Sequence, residues 1–346
     1  MTIAVAVSGG MDSLLSLVLL KEQGHDVMAV HGHFLPPSPA WQQVAVGLTS
    51  ACETLGVPFH TLDLHEEFDR RVVSPFVGDY KAGLTPNPCA VCNPRMKFGV
   101  LFEAVRKLGA DHMATGHYVR LEEREGLGRM LVRGADLTKD QSYFLSLVPI
   151  ETLRLAHFPL AETYKKDVLS ILTEHGLEPP IPSESQEICF VPKDDYQAFL
   201  LDRESMPGGG SAVLSDGTVV GKHTGLWRHT QGQRRGLGIP WKEALYVLDK
   251  DIKNNALIVG PKSELASQGC IAGQVNLMVD LALWPEEILL QTRYRQQAKP
   301  SRFELVDGKL HFHFIESHAR PTPGQVAAVY TEDGTVLGGG IIESAL

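Results

Sequence analysis

Ile3-Ala4-Val5-Ala6-Val7-Ser8-Gly9-Gly10-Met11-Asp12-Ser13 is the stretch from which the fold of this chain is read. An uninterrupted apolar run predicts a buried strand, and the leucine-rich Ser13–Gln23 predicts a helix, with Gly24 where a C-terminal cap belongs. Between them the glycines allow a tight turn and a close approach to an anion. The helix start adds free N–H groups and a favourable dipole. Ser8 and Ser13 supply hydroxyls, whereas Asp12 is unfavourable beside bare phosphate unless it meets a magnesium ion or organises the loop. No Gly-Lys-Ser/Thr follows, so this is not a Walker loop, and the glycine spacing is not G-x-G-x-x-G.

Outward from this loop the same alternation continues. Val27–Val30 and about Val57–Leu62 read as strands, Gln42–Leu55 and Glu66–Tyr80 as helices; Lys97–Leu108 is a further helix before Gly109, and His112–Thr115 a further strand. Strand–helix alternation with short connections predicts a parallel sheet covered on both faces, with ligands outside the carboxyl ends of its strands. The segment Lys81–Arg95 breaks the pattern, because Pro86, Pro88 and Pro94 remove donors and disfavour helix before them; it reads as a stiff, cysteine-bearing loop. After about Asp195 short β-rich runs alternate with turn signals such as Ser215-Asp216-Gly217 and Asp307-Gly308. Leu310, Phe312 and Phe314 alternate with His311 and His313, which predicts a strand with both histidines on its polar face. The expected organisation is an α/β parallel-sheet domain over 1–195, a small middle domain over 196–270 and a C-terminal β-barrel over 271–346.

The length of 346 residues suits two or three domains, and 43% hydrophobic with 21% charged residues is a globular composition. No apolar run reaches the roughly 18 residues of a membrane span. Neither a basic leader nor a cleavage site precedes Ile3, so a cytoplasmic protein is expected. A net charge of −9 does not favour nucleic acid, yet Arg228–Arg235, Lys242 and Arg293–Lys299 could form a local basic surface. Five cysteines in such a chain read as thiols, ligands or catalysts before disulfides. Cys89 and Cys92 form a C-x-x-C that fits a metal site, a redox pair or coincidence; a zinc site lacks its further ligands. Cys52 and Cys270 read as ordinary buried residues, and spacing alone says the same of Cys189. His31 and His33 read as a solvated strand end rather than metal ligands.

Several segments then resemble one family, in one order along nearly the whole chain. Ser8–Ser13 resembles the PP-loop of ATP pyrophosphatases. Thr85–Asn93, Lys97-Phe98-Gly99, Ala114–Tyr118, Lys139–Phe144, Ser185–Phe190, Gly232–Gly238, Arg293–Gln296 and Pro323-Gly324-Gln325 look like motifs of tRNA-specific 2-thiouridylases. That resemblance implies an adenine nucleotide α-hydrolase-like domain and a sulfurtransferase. Such an enzyme adenylates the wobble uridine of tRNA at the expense of ATP and Mg2+, and replaces its 2-oxygen with sulfur. It implies that Ala6, Val7, Ser8, Gly9, Gly10, Met11, Asp12, Ser13, Gly32 and Gly116 bind ATP. Cys189 would carry a persulfide supplied by a sulfur-donor protein, Cys92 would release its sulfur by forming a disulfide or act as an acid–base group, and Asp12 would serve catalysis. Asn87, Pro88 and Cys89 would border the flipped base, and His117, Lys139, Asp140, Gln141, Arg293, Tyr294 and Gln325 would contact tRNA.

Two positions depart from the family pattern. Gly32 stands where a larger residue is expected beside adenine, and Cys89 where some relatives have Asp. Three thiols, Cys89, Cys92 and Cys189, could hold a [4Fe–4S] cluster with one open iron. Two other readings remain: a PP-loop ligase or amidotransferase acting on a small molecule, and a catalytically silent nucleotide- and RNA-binding homologue. The first leaves Cys92, Cys189 and the β-rich third unexplained; the second need not keep Asp12 and both cysteines.

Overall fold

A computed structural model of the chain describes residues 1–181 and 188–346, so Cys189 is described while Ser185, Gln186 and Glu187 of its motif lie outside the described residues. The chain divides into two compact units. The first comprises Met1–Val72, Cys89–Phe190 and Asp333–Val336, and the second Val73–Pro88, Val191–Glu332 and Leu337–Leu346.

In the first unit the expected parallel sheet forms from β1 (Thr2–Ala6), β2 (Asp26–His33), β3 (Phe59–Asp63), β4 (His112–Ala114) and, after a hairpin of β5 (Val119–Arg124) and β6 (Gly128–Arg133), β7 (Ala156–His157). Its order is β3-β2-β1-β4-β7, and every neighbouring pair is parallel. The chain therefore leaves β1 in one direction for β2 and β3 and returns on the other side for β4. The crevice outside β1 and β4 is a topological switch point, where open α/β sheets bind ligands. Helix α1 (Met11–Glu22) is apolar nearly all round because it is covered on two sides. Leu17 and Leu20 pack with Ile3, Val5 and Ala29 of the sheet, while Leu14, Leu15 and Val18 pack with Leu160, Val168 and Leu172. Helix α2 (Pro39–Leu55) starts on a Ser38 cap with Pro39 at its first position and ends at Gly56 in the left-handed conformation, as its sequence dictates.

The structure departs from the sequence reading at the cysteine segment. Pro88–Cys92 is a short helix, not a loop, and it runs into a π-helical stretch, Asn93–Leu101, before the α-helix Phe102–Lys107. Pro88 is the first residue of the short helix, where a missing N–H costs nothing, and Pro94 is the second residue of the π-helical stretch, so prolines that read as breakers lie within helix. A π turn sets residues five apart against each other, and Gly99 meets that demand: a Cβ there would lie 2.7 Å from the carbonyl oxygen of Pro94. The helix expected over Glu66–Tyr80 likewise contains a π turn, Asp69–Val73.

The second unit is β-rich. A four-stranded sheet comprises β8 (Gly210–Val213), β9 (Val219–His223), β10 (Tyr246–Asp251) and β11 (Ala256–Gly260) in the order β10-β11-β8-β9. It encloses Ala212, Leu226, Leu245, Val247, Leu257 and Val259. A closed six-stranded barrel follows from β12 (Ala266–Leu277), β13 (Ile288–Gln291), β14 (Lys299–Val306), β15 (Lys309–Ala319), β16 (Val326–Tyr330) and β17 (Val336–Ala345). The alternation read from β15 holds, with Leu310, Phe312 and Phe314 buried and His313 exposed. Among the described residues no helix is long and apolar enough to cross a membrane.

Candidate active site

The loop between β1 and α1 is held by its own serines. Ser13 Oγ accepts from the backbone N–H of Ser8 at 3.0 Å and donates to the carbonyl of Gly10 at 2.9 Å. Gly10, at the cap position of α1, has no side chain to satisfy the first-turn N–H groups, and these remain available to an anion. Gly9 has φ +91°, a conformation open to glycine, and a Cβ there would meet Val44 at 2.6 Å. Gly116 follows β4 and lies against the loop: a Cβ would sit 2.9 Å from the carbonyl carbon of Asp12 and 3.0 Å from the nitrogen of Ser13. Backbone on backbone leaves nothing that can give way.

Asp12 is not bare. Lys165 Nζ lies 2.6 Å from both its carboxylate oxygens, and the Tyr118 hydroxyl donates to Oδ1 at 2.6 Å. These contacts organise the loop and neutralise a carboxylate that would otherwise repel phosphate. Gly32 is packed rather than open, since a Cβ would meet Phe34 at 3.2 Å and Leu101 at 3.4 Å.

His31 and His33 correct the expectation of a solvated strand end: they are 8% and 3% exposed. The strand β2 extends through them, so His33 pairs with Asp63 of β3 and lies under Trp41, ring centroids 3.7 Å apart. His31 Nδ1–H donates to the carbonyl of Val7 at 2.5 Å, immediately before the loop. Burial, joined by the neighbouring His31, holds His33 down at a pKa of about 4.

The residue after Gly116 reaches Lys97. His117 is buried, with Nδ1 2.7 Å from Thr115 Oγ1 and Nε2 3.4 Å from Lys97 Nζ. Burial, then the Lys97 charge, holds this imidazole well below its ordinary pKa. A lysine ammonium only donates, so Nε2 is the acceptor and the proton sits on Nδ1. Lys97 lies five residues beyond Cys92, the spacing that the π turn brings onto one face. Its charge acts on all three thiols. Cys92 is 8% exposed and pushed up to about 12 by burial, with Lys97 pulling down and Cys189 and Cys89 adding to the rise. Cys189 is pushed up to about 11 by burial and then by Cys89, again opposed by Lys97. Cys89 is raised by burial and lowered by Lys97. Cys89 and Cys189 are exposed to solvent, and all five cysteines are free thiols. Cys52 and Cys270 are buried, as read.

A second set of bonds ties the cysteine turn to the loop through the Lys139–Phe144 motif. Asp140 accepts from the backbone N–H groups of Gly134 and Ser142, from the Ser142 hydroxyl at 2.7 Å and from Arg133 at 2.8 Å. Gln141 Oε1 accepts from the N–H of Tyr118, whose hydroxyl holds Asp12. Asn93, next to Cys92, donates to the carbonyl of Phe144 at 3.0 Å. Asp140 and Gln141 thus make internal bonds, and Lys139 is half-buried. Asn87, Pro88, Arg293, Tyr294 and Gln325 belong to the second unit, where Arg293 donates to Thr322 Oγ1 at 2.8 Å. Sequence reasoning missed Lys165 and Tyr118 as partners of Asp12, and quoted Lys97 within a motif without a role. The motif was the only signal for Lys97, and none existed for Lys165.

A parallel sheet with an anion-ready loop at its switch point, followed by a small β domain and a β-barrel, defines a class of nucleotide-dependent enzymes. The models matching the chain are those of the tRNA methyl transferase HUP domain over residues 1–193, the tRNA methyl transferase PRC-barrel domain over 197–261 and the aminomethyltransferase beta-barrel domain over 267–342. The chain belongs to the tRNA-specific 2-thiouridylase family. It is 52% identical over 347 residues to tRNA-specific 2-thiouridylase MnmA of Nitratidesulfovibrio vulgaris (strain Miyazaki F), covering 99% of each chain. It is 45% identical to the MnmA of Lawsonia intracellularis over 100% of both. Among solved structures, the U34-tRNA thiolase NcsA from Methanococcus maripaludis with its [4Fe-4S] cluster matches at 16% identity and a TM-score of 0.37, over 59% of this chain and 65% of that one.

Proposed function

We propose that this chain is an ATP-dependent sulfurtransferase acting at C2 of the wobble uridine of tRNA. One observation carries the reading: Gly116 touches the phosphate loop while the next residue, His117, touches the lysine that the three thiols share. Adenylation and sulfur transfer need that adjacency. The loop from Ala6 to Ser13, with Gly116, would bind ATP; magnesium would neutralise the phosphates and could take Asp12 once Lys165 lets go. The uridine oxygen attacks the α-phosphorus and pyrophosphate leaves, which makes a poor leaving group into AMP. The terminal sulfur of a Cys189 persulfide then bonds to C2 and AMP departs. Cys92 Sγ attacks Cys189 Sγ, the old S–S bond breaks with its electron pair going to the sulfur left on the base, and the resulting Cys92–Cys189 disulfide awaits reduction by a dithiol.

Burial keeps Cys92 protonated at neutral pH, so it must lose a proton or serve as a proton donor before it can attack. The base must leave its stack to reach a buried thiol. Lys139, Arg293 and Tyr294 are proposed to meet the tRNA, a persulfide-carrying protein to supply sulfur, and the cytoplasm to be the compartment. Among the described residues no three His, Cys, Asp or Glu side chains converge to hold a metal ion. The test is reaction with unmodified tRNA, ATP, magnesium and a persulfide donor, read by mass analysis of the nucleosides. Thiouridine should form, and Cys189→Ser should retain tRNA-dependent release of pyrophosphate while making none. Full activity of that variant removes the persulfide assignment.

A further inference from the structure

Thr85, seven residues before Cys92, is gripped by a turn of the barrel within the second unit. Its N–H donates to the carbonyl of Pro323 at 3.0 Å, and its carbonyl accepts from Gln325 Nε2 at 2.8 Å. A carbonyl only accepts, so the nitrogen of the Gln325 amide must face it. Between these two contacts Gly324 has φ +92°, and a Cβ on it would lie 2.9 Å from the carbonyl carbon of Thr85 and 3.0 Å from its nitrogen and oxygen. The turn is itself fixed to the last barrel strand, with Gly324 N–H on the carbonyl of Ile342 and Ile342 N–H on the carbonyl of Gln325, each at 2.8 Å. Two residues upstream of Thr85, the buried Lys250 donates to the carbonyl of Gly83 at 2.7 Å. A stretch without regular structure is thereby held at Gly83 and on both sides of one residue, Thr85. Beyond it, Pro86 and Pro88 each lock φ, so fixing Thr85 also constrains Pro88, the first residue of the helix that bears Cys89 and Cys92.

We infer that Pro323-Gly324-Gln325, with Lys250, is a clamp that sets the entry to the cysteine turn. Gln325 and Gly324 are then positioning residues for sulfur transfer, acting through Thr85 rather than on tRNA. The inference rests on the thiolation reading, and its test separates the two. Wild-type protein is assayed first, and absence of thiouridine there removes the thiolation reading itself. Given an active wild type, Gln325→Ala is compared for kcat and for KM of tRNA, and the alkylation rates of Cys89 and Cys92 by iodoacetamide are mapped by peptide mass without tRNA present. The clamp predicts a kcat lowered about 10- to 100-fold, a KM for tRNA within about twofold, and altered alkylation rates. Gln325→Glu, which keeps the shape and loses the donor at neutral pH, should behave like Gln325→Ala. A raised KM for tRNA with kcat and alkylation unchanged would overturn the clamp and make Gln325 an RNA contact. Gly324→Ala should give the same loss as Gln325→Ala if it folds, and circular dichroism is recorded for each variant.

Discussion

Lys97 shows how one charge can serve three nucleophiles. Burial raises Cys89, Cys92 and Cys189, and in each case the ammonium of Lys97 opposes that rise. With Cys189 at about 11 in the resting enzyme, its thiolate fraction should grow tenfold for each pH unit between about 7 and 9. Alkylation of Cys189 by iodoacetamide should follow that slope without a plateau, and a plateau below pH 8 would contradict the resting geometry. Lys97→Met removes the opposing charge, so the thiols rise further. At pH 8 alkylation of Cys189 should slow by about threefold to tenfold, and the activity profile should move to higher pH. His117 gives an internal control. The same charge holds its imidazole down, so losing Lys97 should raise the His117 pKa, seen as a shift of its ring resonances toward higher pH. A substitution that merely loosened the fold would not move thiols and imidazole upward together.

Among the elements, the π turn over Asn93–Leu101 depends on Gly99, because the close carbonyl of Pro94 leaves no room for a Cβ. Gly99→Ala should force the stretch toward an α register, in which Lys97 rotates away from Cys92. The expected result is a fall in kcat of about 10- to 100-fold with ATP binding unchanged, measured by equilibrium titration. Weakened ATP binding instead would mean that the damage had spread to the sheet. This element also marks the limit of what the sequence carries. The parallel sheet was legible because buried strands are continuous apolar runs, and the barrel because Leu310, Phe312 and Phe314 alternate with polar residues. The phosphate loop was legible because all its parts are contiguous. The π register was not, since the prolines at positions 86, 88 and 94 read as helix breakers, and nothing local distinguishes them from prolines that helix accommodates. His33 is covered by Trp41 from another element, and His31 packs edge-on against His33. Lys165 meets Asp12 across 153 residues, and Gln325 meets Thr85 across 240. No local pattern announces pairings of that kind.

For the molecule as a whole, its buried titratable groups set a stability that should be dome-shaped in pH. On the acid side His157 and His229 are held down at about 4, and His31 and His117 are also lowered, each first by burial. The unfolded chain binds protons at these sites from 6.5 downward and the folded chain does not, so stability falls as pH drops through that window. On the alkaline side the thiols act in the opposite sense. Among the buried thiols Cys52 is raised to about 11, and Cys92 and Cys270 to about 12, all chiefly by burial, from an ordinary 9.0. Above 9 the folded state keeps protons that the unfolded state has lost, so each thiol costs up to about 1.4 kcal/mol per pH unit until its folded pKa is reached. Lys250 runs against them: burial lowers it from 10.5 to about 8, and relief of its buried charge makes stability rise from pH 8 to about 10. Between 8 and 9 the lysine titrates before the thiols respond, and above 9 to 10 the thiols outnumber it. Denaturation midpoints should therefore rise slightly from pH 8 to 9 and then decline. Lys250→Met should abolish the rise, and Cys270→Ala, altering a fully buried barrel thiol, should soften the decline without moving the acid limb. Midpoints that kept climbing beyond pH 10, or stayed level from 6.5 down to 4.5, would mean that these groups are not buried as the structure has them.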